Sequence, residues 1–323
     1  MRAQRGVALI TVLLVVALVT VVSASMVARQ QLAIRVAGNQ LQARQAWHYA
    51  LGGEALAAAI LRRDLRDGGQ QNAGIDHPGE AWAQPRPAYA VDGGEIRLRI
   101  EDLAGRFNLN SLVKNGQADA AGVEQFRRLL ARLQISEPYA ERLVDWLDAD
   151  QEPSAAEGAE DGAYQLAETP YRAANRRLFD LSELRLLLGM REEDFQRLAP
   201  HVAALPDEAV LNVNTASALV LSSLGDALTP GAAEALVVQR NSAPFTDTAA
   251  FLAQPAMAGT TLQGTAIAVG SQFFQVTSEV HLGDRRLALV SLLQREQDGG
   301  VRVLWRNLGQ PPRLPATSAE GEP

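Results

Sequence analysis

Between Arg142 and Arg172 the chain carries no basic residue, yet Asp145, Asp148, Asp150, Glu152, Glu157, Glu160, Asp161 and Glu168 all fall there. The chemistry such a segment offers is ligation by oxygen. Asp145 and Asp148 lie three residues apart on a predicted helix, YAERLVDWLD, and so share a face; Asp150 follows where that helix frays, so several carboxylates can converge. All-oxygen clusters of this kind suit Ca²⁺. The pattern is not an EF-hand. Asp148-x-Asp150-x-Glu152 begins like one, but Pro153 stands where that loop needs glycine and Ala159 where it needs its last acid. A solvated acidic loop explains the same composition, and on these residues alone both readings stand.

Other chemistry is poorly supplied. Lys114, in VKNG, is the one lysine, which removes a P-loop lysine and an S-x-x-K pair. His48, His77, His201 and His281 are scattered and form no H-E-x-x-H pair, and the absence of cysteine removes a thiol nucleophile and disulfides alike. No catalytic or cofactor-binding residue is assigned, and no enzymatic activity is expected. The formal charge of −7, which becomes −9 if Arg2 and Arg5 are lost with a leader, makes a poor surface for a phosphate backbone.

The elements that must position the acidic segment begin with VALITVLLVVALVTVVSASMVA, residues 7–28, an uncharged run long enough for a helix to cross a hydrocarbon core of ~30 Å. Apolar residues at steps of three and four carry the helix on to about Asp67, with a bend plausible at Gly52-Gly53. A loop rich in Gly, Pro, Asn and Gln fills 68–88. Tyr89 to Val91 and EIRLRIED then read as a hairpin about Asp92-Gly93-Gly94, and strand signals return at 273–283, 285–296 and 301–309. The fold class is α+β: a long N-terminal transmembrane helix on an antiparallel sheet, with an all-α domain of short helices, 106–270, inserted between the strands. The head thus comprises 29–105 and 271–309, and 310–323 reads as a disordered tail.

The N-terminus adds processing information. MRAQRG places Gly6 between a basic leader and the apolar run, and this resembles a type IV prepilin leader, cut by a prepilin peptidase between Gly6 and Val7; a signal anchor, or a signal peptide ending at Ser25, are the alternatives. In pilin-like filament subunits the fifth residue after the cut is a glutamate, whereas here it is Thr11, whose hydroxyl a membrane helix tolerates by bonding it one turn back. Together with the large head and the stretch DWLDADQEP...GAEDGAY...PYRAANR, this resembles the K-type minor pseudopilins of type II secretion. The resemblance implies a single-pass protein of the bacterial inner membrane with a periplasmic head, capping the pseudopilus tip with I- and J-type minor pseudopilins above the major pseudopilin filament. It also implies that the acidic segment binds Ca²⁺, with Asp148, Asp150, Glu160 and Asp161 the chosen ligands.

Within the insertion Phe107-Asn108-Leu109-Asn110-Ser111 is echoed by Leu211-Asn212-Val213-Asn214-Thr215, each polar position offset by 104, and both are expected to cap the helix that follows. The second copy, with N-T-A-S and R-x-x-x-P-F, also resembles a helix-hairpin-helix module, which would imply a DNA-uptake protein. Residues 207–258 hold one base, Arg240, against five acids, so no nucleic-acid partner is expected.

Overall fold

The structure is a computed structural model and describes residues 5–67, 74–262, 265–296 and 298–309. The leader at 1–6 lies largely, and the tail at 310–323 entirely, outside these described residues. Helix α1 runs unbroken from Arg5 to Asp67. Residues 7–42 are exposed along their whole length, and the most apolar window has a mean hydropathy of 2.9, so α1 is long and apolar enough to cross a membrane. Its C-terminal part turns to small apolar residues, and Ala46, Ala50, Ala57 and Leu61 are buried against the sheet.

That sheet has five antiparallel strands in chain order: β1 (Tyr89–Val91), β2 (Gly94–Asp102), β3 (Phe273–Leu282), β4 (Arg285–Arg295) and β5 (Val301–Asn307). Alternation decides which face packs. Ile96, Leu98 and Ile100 of β2 join Phe274, Val276 and Val280 of β3 beneath α1, while Arg97 and Arg99 point away. β2 and β3 pair directly, from Gly94 opposite Leu282 to Asp102 opposite Phe274, although 170 residues of chain separate Asp102 from Phe273. The insertion therefore leaves and rejoins the sheet at one point.

Its helices are α2 (Ala120–Arg132), α3 (Tyr139–Leu147), α4 (Asp161–Tyr164), α5 (Glu192–Leu198), α6 (Ala218–Ser222), α7 (Pro230–Ser242) and α8 (Thr248–Leu252). They enclose a core of their own, built on Phe126, Leu129, Tyr139, Leu143, Leu221 and Phe251. The insertion is not purely α-helical. Phe107-Asn108 pairs in parallel with Val202-Ala203, Leu211-Asn212 pairs in parallel with Ile267-Ala268, and Val113-Lys114 makes a small hairpin with Gln117-Ala118. Two-residue strands leave no periodicity to read.

Candidate metal centre

Helix α3 delivers the acidic segment. Its amphipathic pattern buries Leu143, Val144, Trp146 and Leu147, which brings Asp145 inside with them. The carboxylate of Asp145 is spent on the backbone: Oδ1 accepts from Ser154 N at 2.8 Å and Oδ2 from Ala159 N at 2.7 Å. These two bonds fold the loop after α3 back onto the helix. Gly158 makes room for them, since a Cβ there would overlap Asp145 Oδ2 and lie 3.0 Å from Ala155 O.

The folded loop brings Glu160, the residue before α4, to Asp148 and Asp150 at the C-terminus of α3. One oxygen of each lies within 4.8 Å of those of the other two. Oxygens bound to one Ca²⁺ at about 2.3–2.6 Å are at most roughly 5 Å apart, so these separations are compatible with one ion. Asp148 is 7% and Glu160 6% exposed, yet Asp148 Oδ1 and both oxygens of Glu160 have no hydrogen-bond partner among the described residues. Burial first, and then the neighbouring acids, push Asp148 up to about 6 and Glu160 up to about 7. Buried, unpartnered carboxylate oxygens facing one another fit a hard cation.

Asp161, chosen from the sequence as a fourth ligand, does not join them. Its Oδ1 accepts from Ala173 N at 3.0 Å and its Oδ2 lies 3.7 Å from Arg172, so it anchors the PYRAA segment instead. The residue missed is Asn175 in the same segment. Its Nδ2 donates to Asp150 O at 2.9 Å while its own Oδ1 is buried and unpartnered, a further oxygen beside the cluster. A backbone φ of +45° places it there, a conformation in which asparagine is enriched.

The remaining predicted positions are equally definite. Gly6 lies within α1, Val7 is exposed, and the Thr11 hydroxyl donates to Ala8 O at 2.9 Å, one turn back. In the hairpin between α6 and α7, Thr260 Cγ2 would sit 2.6 Å from a Cβ at Gly225, so the glycine serves packing. Arg240 is buried and donates to Val213 O at 2.6 Å, which turns the only base of residues 207–258 inward.

Two family models described as Type II secretion system (T2SS), protein K match residues 105–207 and 211–270. Type II secretion system protein K of Pseudomonas aeruginosa is 53% identical over 99% of this chain and 97% of its own length, and that of Klebsiella pneumoniae is 39% identical over 91% and 93%. The crystal structure of the GspK-GspI-GspJ complex from the enterotoxigenic Escherichia coli type 2 secretion system superposes with a TM-score of 0.74 at 29% identity, covering 84% of this chain and 99% of that one. An apolar N-terminal helix bearing a head of sheet and helical insertion, with relatives matched almost end to end, places the chain in the type II secretion system protein K family of minor pseudopilins.

Proposed function

We propose that this protein caps the tip of a type II secretion pseudopilus, in a hetero-complex with I- and J-type minor pseudopilins on the major pseudopilin filament, and supports export of folded proteins across the outer membrane. The observation that carries the reading is the exposed surface of α1 from residue 7 to 42, uncharged and apolar from 7 to 28, which needs a bilayer or neighbouring helices to cover it. Thr11 spends its hydroxyl on its own helix and offers no carboxylate to a neighbour's terminal amine. The insertion adds a second core to the head, bulk that a position with no subunit above it accommodates. In this reading the prepilin peptidase cuts between Gly6 and Val7, α1 sits in the inner membrane and the head in the periplasm.

Ca²⁺ is the proposed resident ion, held by Asp148, Asp150 and Glu160. It supplies charge neutralisation and fixes the loop between α3 and α4. The test of assembly is co-purification of the full chain with I- and J-type partners in detergent, with stoichiometry from light scattering and the mature N-terminus from mass spectrometry. One copy of each subunit and a start at Val7 are expected. A homopolymer, or labelling at regular intervals along the filament, overturns capping, and a start at Met26 overturns the pilin-like processing.

A further inference from the structure

A second group of oxygens lies in the other domain, where α1 ends. Asp64 in the last turn of α1, and Asp76 and Glu80 in the segment that follows, each place one oxygen within 4.8 Å of those of the other two. The protein fixes one side of each carboxylate. Asp64 Oδ2 accepts from Arg295 Nη1 at 3.0 Å, and Asp76 Oδ2 accepts from Ser271 N at 2.7 Å and Arg295 Nη2 at 2.5 Å. Glu80 Oε2 accepts from His77 N at 3.0 Å and from Trp82 Nε1 at 2.7 Å. The second oxygens are left over. Asp76 is wholly buried, and its Oδ1 has no partner among the described residues.

Charge points the same way. Among the described residues three carboxylates face one guanidinium, Arg295. A cavity of about 530 Å³ lined by Leu65, Gly74, Asp76, Ser271 and Arg295 opens beside them and provides an entry path.

The geometry points to a second cation site, in which Asp64, Asp76 and Glu80 hold a hard divalent ion of the Ca²⁺ class at the junction of α1, the segment 74–80 and β4. Carboxylate oxygens at these separations, with no nitrogen or sulfur donor among the three, suit that class. The ion ties the last turn of the membrane helix to Arg295 of β4 and, through Asp76, to Ser271, where the chain returns from the insertion.

Terbium tests this, because the Trp82 indole bonded to Glu80 is placed to sensitise a lanthanide there. The full chain in detergent carries Asp148→Asn, Asp150→Asn and Glu160→Gln, which disables the site in the acidic loop. In this background we expect Tb³⁺ emission on tryptophan excitation, displaced by Ca²⁺. Adding Glu80→Gln should weaken Tb³⁺ and calorimetric Ca²⁺ affinity about tenfold or more, whereas adding Trp82→Phe should dim the emission while Ca²⁺ heat persists. Where circular dichroism shows Glu80→Gln misfolded, the partly exposed Asp64→Asn gives the same readout. No emission and no Ca²⁺ heat in the triple variant, or no effect of either acid substitution, overturns the second site. An unchanged Ca²⁺ stoichiometry on making the triple variant overturns the acidic-loop site instead.

Discussion

Gly52 and Gly53 are neighbours in the same helix, and alanine at the two positions should shift stability in opposite directions. Gly52 is exposed and a Cβ there meets nothing within 4 Å, so Gly52→Ala gains only the helix preference of alanine, about 0.5–1 kcal/mol. Gly53 is buried where α1 crosses β2 and β3. A Cβ there would overlap Ser278 Oγ and stand 3.0 Å from Ser278 Cβ and 3.2 Å from Ile96 Cγ2. Rotation of the hydroxyl relieves only the first of these contacts. Overpacking costs about 1–3 kcal/mol, enough to exceed the gain in helix preference. The helix preference is common to both, so the two alanine variants should be separated by the overpacking cost, roughly 1–3 kcal/mol, or several degrees in melting temperature, with Gly53→Val lower still. Denaturant unfolding of the full chain in detergent, followed by tryptophan fluorescence, measures this. If both alanines stabilise equally, α1 does not approach the sheet through Gly53, and the account of how the membrane helix grips its head is wrong.

Chelation should lower the melting temperature and Ca²⁺ restore it, by about 2.7 kcal/mol at a free concentration one hundred times the dissociation constant. Asp148→Asn with Asp150→Asn should weaken that response, and a double variant that answers Ca²⁺ like the parent would refute the ligand assignment. Asn214→Ala strips partners from Phe245 N, Phe245 O and Val269 O and should cost about 2–4 kcal/mol by urea unfolding, as should Asn110→Ala; a cost under about 0.5 kcal/mol at either site contradicts the reading. Burial raises the carboxyl of Glu54, but bonds from Arg306 and Ser291 more than offset it and hold the group below its ordinary value. Its stabilisation is thus complete above the unfolded value of about 4.5 and lost as pH falls through the folded one, so the parent should lose more stability than Glu54→Gln between about pH 5 and 3. Parallel acid-unfolding curves would exclude this.

The sheet was legible because Ile96, Leu98 and Ile100 alternate with arginines, and because Gly93 and Gly283, at φ of +78° and +55°, mark the hairpin turns. Helix starts at Asp180 and Thr229 were legible from capping chemistry, and each side chain accepts the bond its type suggests. Gly52-Gly53, read as a weak point, does not interrupt the helix, which continues to Asp67, and Gly53 serves close approach to Ser278. The caps assigned to both asparagine motifs were misplaced: Asn108 caps the short 3₁₀ turn Leu109–Leu112 and Asp119 caps α2, while Ser217 caps α6. Among the acids, helix spacing predicted carboxylates converging at the end of α3, and Glu160, chosen on the family resemblance, lies beside Asp148 and Asp150. Spacing had no means of showing that Ala173 N claims Asp161, or that Asp76 meets Asp64 across a turn of the chain.

The asparagine echo explains how a sheet tolerates an insertion of this size. Asn110 grips Leu178 N, Leu178 O and Leu205 O, and Asn214 grips Phe245 N, Phe245 O and Val269 O, the same device in both halves of the insertion. The residues two before them differ in what they hold. Asn108 spends its amide on Pro206 O inside its own half, whereas Asn212 donates to Asp76 O, Ser271 Oγ and Asp102 Oδ2, all in or bordering the pilin-like domain. Entry and exit of the insertion are bonded to each other as well, Ser271 Oγ to Asp102 Oδ2 at 2.6 Å and Leu103 N to Phe273 O at 3.0 Å. With its ends clamped at adjacent ladder positions, the insertion acts on the sheet as a hairpin loop would, and closure entropy grows only logarithmically with what the loop contains. The first half, which carries Asp148, Asp150 and Glu160, is held to the sheet by the chain at Leu103 and by Ala203 and Leu205, which pack with Phe273 of β3 and Leu292 of β4. The second half adds a hydrogen-bonded hold on the pilin-like domain through Asn212, so Ca²⁺ taken up at the proposed site is expected to stabilise the insertion without altering strand register.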